Sequence, residues 1–146
     1  MSIQTVLTST VVAGLVAAFI SWWISERRIA IENVTQERAK WRERIREKAV
    51  ETHDAIIRAD EEALSRVRAQ FRLLLNPFHD EDRAIVVAAS VSEVERETQA
   101  EEFSLRVALL LKHDWERAKR EARPFLFRGC SPRRVPYEEY FQKASR

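Results

Sequence analysis

Between residues 26 and 123 the chain contains no glycine and a single proline, Pro77. A β-sandwich or a doubly wound α/β domain needs turn residues every ten or so positions, so this stretch excludes both. Long helices remain. The distribution of charge narrows the reading further. All 25 basic and 23 acidic residues follow Ser25, so the first 25 residues carry no charge.

Residues 6–24 form an uncharged, largely apolar run, about 28 Å long as a helix against a hydrocarbon core of about 30 Å. No basic residue precedes it, and it ends in Trp22-Trp23 rather than in a small-residue cleavage site. These features favour an uncleaved anchor over a signal peptide. Arg27 and Arg28 follow directly, so the positive-inside rule predicts a single-pass bacterial inner-membrane protein with its N-terminus outside and its C-terminus cytoplasmic. The lone Cys130 suits that compartment. One face of the run presents Ser9, Ala13, Ala17 and Ser21, with Thr10, Gly14 and Ala18 alongside. Small residues at this spacing let helices approach closely, and they are the first candidate surface for self-association.

Residues 26–75 read as a stalk helix. Val34, Ile45, Ile56 and Val67 recur every eleven residues, as do Trp41, Thr52, Ala63 and Leu74. A third row, Arg38, Ala49, Asp60 and Phe71, is only partly apolar. Eleven residues over three turns favours straight or slightly right-handed packing; an ordinary amphipathic helix would look similar. Val34, Trp41, Ile45, Ile56 and Val67 are therefore expected to pack between chains. Asn76-Pro77 ends the stalk, with Asn76 suited to a left-handed cap. Two helices, 81–96 and 100–122, are predicted to follow, with Trp115 packed inside. The expected fold is all-α: a transmembrane helix (1–25), a stalk (26–75), a helical hairpin packed on its distal end (76–122) and a basic aromatic tail (123–146).

Charge divides the chain. Residues 26–48 hold eight basic and five acidic side chains, a collar suited to mixed ion pairs or to an anionic ligand such as a nucleotide. Residues 49–116 hold eight basic and fifteen acidic, and residues 117–146 nine and three. The tail interleaves Arg123, Arg133 and Arg134 with Phe125, Phe127, Tyr137, Tyr140 and Phe141. Three roles fit it: folding back onto the acidic bundle, docking a separate protein, or binding nucleic acid or lipid by charge and stacking.

Three segments resemble a group of small, largely uncharacterised bacterial single-pass membrane proteins. They are Thr35-Gln36-Glu37-Arg38-Ala39-Lys40-Trp41-Arg42, then Leu74-Leu75-Asn76-Pro77 with Glu81-Asp82, and the run from Leu111-Lys112-His113-Asp114-Trp115 to Ala122. The resemblance covers residues 6–122. It implies an anchored helical architecture in a prophage, mobile-element or defence setting, and it brings no activity with it.

There is no glycine-rich phosphate loop, no Cys/His pair at zinc spacing and no nucleophile elbow. All three histidines precede aspartate: His53-Asp54, His79-Asp80 and His113-Asp114. Such pairs serve as metal ligands in larger all-helical hydrolases. Here their separation along the chain points to a helix start at His79 and a polar flank at His113. No catalytic residue, cofactor or metal is expected. The reading is a non-enzymatic membrane protein, partnered by the lipid bilayer, that self-associates through span and stalk and serves as an effector or adaptor in phage defence or superinfection exclusion. The alternative is a membrane-tethered scaffold that recruits a cytoplasmic protein or nucleic acid through its tail.

Overall fold

The structure, a computed structural model, describes residues 3–90, 95–123 and 129–144, with side chains in the first helix described for residues 12–26 and from 32 onward. Among these residues it is all-helical and contains no strand. Five helices are described: α1 (Ile3–Arg58), α2 (Glu61–Leu74), α3 (Asp80–Ala88), α4 (Arg96–Ala122) and α5 (Tyr137–Ala144). The chain divides into two units, Met1–Lys40 and Trp41–Arg146.

The predicted membrane span is overturned. Among the described residues no helix is long and apolar enough to cross a membrane. The uncharged run whose side chains are described, residues 12–25, amounts to about 21 Å of helix, short of a hydrocarbon core of about 30 Å. Residues 6–11 of the expected span, Ser9 and Thr10 among them, lie outside the described side chains. The single-pass topology and the inner-membrane location fall with the span.

The stalk is also not one helix. α1 stops at Arg58 because Ala59 adopts a left-handed φ of 54°. Two closing bonds follow, from Ala59 N to Ile56 O (3.0 Å) and from Asp60 N to Ala55 O (2.9 Å). This is the Schellman arrangement, usually built on glycine. Asp60 at once caps α2, its Oδ1 accepting from Ala63 N at 2.9 Å, and Glu61 and Glu62 add favourable charge in the first turn. A helix ends and another begins within two residues, without glycine or proline.

α2 buries Leu64, Val67 and Phe71 on one face. It ends at Leu75 in extended conformation rather than at a left-handed Asn76. Asn76 instead accepts from Phe78 N through its own Oδ1 (3.0 Å), forming a turn around Pro77. His79 then stands at the start of α3, as read from the sequence. α3 closes at Ala88, well short of the expected residue 96. The Gln99 side-chain amide of α4 donates to the Ser90 carbonyl and, at 3.4 Å, to that of Ala88.

The core of the second unit joins the end of α1 (Ile45, Ala55, Ile56) to α2 (Leu64, Val67, Phe71), α3 (Ile85) and α4 (Phe103, Val107, Leu110). Phe71 and Phe103 meet edge to face at 5.8 Å, a favoured aromatic geometry. The buried Thr52 hydroxyl is satisfied within α1, donating to Lys48 O at 2.6 Å.

Candidate functional site

In the first unit, Val12, Leu15, Val16, Phe19, Ile20, Trp22, Trp23 and Ile24 are all between 47% and 66% exposed. At 3.6 residues per turn these side chains cover an arc of about 200°, with Ala13 inside it between Ile20 and Ile24, and Gly14, Ala17, Ala18 and Ser21 fill the remainder. The helix thus has one bulky side and one narrow, small-residue side. Phe19 and Trp22 touch within the bulky side, ring centroids 5.9 Å apart. Of the predicted small-residue row, Ala13, Ala17 and Ser21 are exposed, and Ser9 lies outside the described side chains.

The eleven-residue row divides. Val34 is 59% exposed, whereas Ile45, Ile56 and Val67 are fully buried in the chain's own core. Those three side chains therefore offer no surface to a second chain. Trp41 also acts within the chain. Its indole N–H donates to Leu74 O at 2.9 Å, satisfying a carbonyl left open at the end of α2.

The tail folds back. Arg134, 8% exposed, pairs with Asp82 of α3, and Asp82 also accepts from the Asn76 backbone N–H at 2.9 Å. Pro132 O lies 3.1 Å from His113 Nε2. A carbonyl only accepts, so Nε2 carries the hydrogen. On α5, Tyr137 lies over the Arg106 guanidinium, 4.3 Å from carbon to ring centroid, and stacks on Phe141 at 6.0 Å. Arg106 also bonds Glu102 at 2.8 Å and approaches Glu138 at 3.4 Å and Glu81 at 3.8 Å. Arg106 is the hub that the sequence reading missed: one basic residue of α4 placed where α3 and α5 both present carboxylates. Burial, reinforced by the Glu102 charge, pushes the Tyr137 hydroxyl above its usual range, with Arg106 opposing. A hydrogen bond from Lys143 holds Glu139 below the ordinary carboxylate range.

The remaining tail candidates are more open. Arg133 is exposed and 3.9 Å from Glu139, and Tyr140 and Phe141 are 39% and 56% exposed. Arg123 is the C-cap of α4, its N–H bonded to Arg120 O at 3.1 Å. Phe125 and Phe127 lie outside the described residues.

The structure does not gather the His-Asp pairs. His53 and Asp54 face each other at 3.6 Å on α1, His79 starts α3, and His113 holds the tail. Among the described residues no group of three His, Cys, Asp or Glu side chains could hold a metal ion. Trp115, expected inside the bundle, is 51% exposed, with Arg42 and Lys119 at 5.9 and 5.3 Å from its ring. Asp114 pairs with Arg42 at 3.3 Å, and Cys130 is an exposed free thiol. Comparison of the chain with protein-family models, with curated proteins and with solved structures finds no match.

Proposed function

We propose that the protein is a non-catalytic helical assembly module whose copies associate through residues 12–24 of α1. One observation carries this reading: eight large apolar side chains exposed over an arc of about 200° on an uncharged helix segment. A surface helix of a globular protein needs an apolar stripe of only about 100°, and a helix apolar on all sides is a buried one. Fully burying side chains of this kind yields about 1.5–3 kcal/mol each, so the segment supplies on the order of 10 kcal/mol to set against the cost of association. A single neighbour covers only one side, so the geometry favours a bundle of several copies over a pair. The small side formed by Gly14, Ala17, Ala18 and Ser21 gives the bulky side of a neighbouring copy a place to pack. Val34, also exposed, extends this surface; Ile45, Ile56 and Val67 are no part of it.

The test is the mass of the full chain in solution, measured by light scattering across a concentration series. Oligomers larger than a dimer are expected, and Leu15→Glu with Phe19→Glu should convert them to monomers while the helical circular-dichroism signal of the bundle persists. A wild-type chain that stays monomeric at high micromolar concentration overturns the proposal.

A further inference from the structure

The corner between α2 and α3 forms an open cavity of about 380 Å3. That volume falls in the range of about 300–1,000 Å3 typical of small-molecule sites. Its walls are mainly apolar, formed by Leu75, Pro77, Val86 and Val87. Three charged side chains also line it, and they differ in their commitments. Asp82 is already held by Arg134 and the Asn76 N–H. Arg83 is paired with Asp80. Arg72, in the last turn of α2, is exposed and has no ion-pair partner among the described residues. The carboxylate of the lining, Asp82, is neutralised by Arg134, which leaves Arg72 as an uncompensated guanidinium at an apolar opening.

We propose that this cavity binds a small aliphatic carboxylate, with the alkyl chain between Val86, Val87 and Leu75 and the carboxylate paired with Arg72. The physical basis is the combination of apolar walls with one available planar fork of donors, which matches a carboxylate better than it matches a cation or a neutral headgroup. This inference stands apart from the assembly reading, since it uses none of residues 12–24.

Octanoate and octylammonium, added to the full chain, provide the test, because they share an alkyl chain and differ in charge. Methyl NMR should show saturable shifts at Leu75, Val86 and Val87 with octanoate. Octylammonium should bind more weakly, and Arg72→Gln should weaken octanoate by about fivefold, the scale of one exposed charge pair near 1 kcal/mol. Val86→Trp, which fills the cavity, should abolish the shifts at Leu75 and Val87; Arg72→Gln keeps the test decisive should that variant fail to fold. Equal binding of the two probes, no loss in Arg72→Gln, or shifts confined to residues 12–24 would each overturn the proposal.

Discussion

Residues 12–24 and the core of the second unit are built from the same kinds of side chain and end in opposite environments. Phe19, Leu15 and Ile24 are at least 60% exposed, while Phe71, Leu64 and Ile56 are fully buried. The difference lies in what surrounds each apolar group. In α2 the buried Leu64, Val67 and Phe71 alternate with Arg66, Arg68, Gln70 and Arg72, so one face is apolar and the other is held in water. Tight corners at Ala59-Asp60 and at Asn76-Pro77 then bring such faces together within one chain. Residues 12–24 carry no charge to define an outer face. An amphipathic stripe can be satisfied within a chain; a segment with no charged face lacks the pattern that says which side turns to water.

The largest effect that would sharpen this contrast comes from truncating matching aromatics. Phe103→Ala should cost about 3–5 kcal/mol in denaturant unfolding, since it removes a buried ring in contact with Phe71. Phe19→Ala should leave the unfolding of the bundle within about 0.5 kcal/mol of wild type. A large loss from Phe19→Ala would show that the exposed segment supports the bundle after all.

The tail latch comes next. Arg134→Met leaves Asp82 buried without its partner and should cost about 3 kcal/mol. Pairing it with Asp82→Leu should recover much of the loss, because two apolar groups restore a neutral interior. Failure of the double variant to recover stability would place the main contribution in the Asn76 N–H bond to Asp82 rather than in the ion pair.

Ala59→Gly should act in the opposite direction, stabilising by about 1 kcal/mol, because glycine adopts the left-handed corner without the strain of a Cβ. Calorimetry of the variant would check it; an unchanged or lowered melting temperature would contradict the strain argument.

The smallest effect is the pH response of α5. The folded-state pKa of Tyr137 lies above its ordinary value near 10, so its contribution to docking is complete below that pH and is lost as pH rises through the folded value. Tyrosinate absorbance and protease sensitivity of residues 137–144 should rise together in alkaline solution. Tyr137→Phe should remove that alkaline transition.

Much of the all-helical layout was legible in the residues. The scarcity of glycine and proline called for helices, Pro77 marked a real corner, and the acidic run at residues 80–82 marked a real helix start. The fold-back of the tail was one of three open readings, because opposite charge on two segments does not say which residues meet. Only packing selects Arg134 with Asp82 and Tyr137 with Arg106. The corner at Ala59 was missed because alanine is a helix former. Its one local signal was Asp60-Glu61-Glu62, an N-cap followed by acidic residues, in the middle of an otherwise unbroken pattern.

The sequence alone thus determined helix content, the apolar and charged faces, and the separation of an uncharged N-terminal run from a charged remainder. These follow from local propensity and from periodicity, which any short window contains. Tertiary structure decided where the stripes go. It turned the eleven-residue row of Ile45, Ile56 and Val67 inward to make a core, left Trp115 outside, and closed the basic tail onto the acidic bundle. Burial depends on which faces the corners bring together, and the corner at Ala59 is set by two backbone hydrogen bonds and one aspartate rather than by any pattern of hydrophobicity.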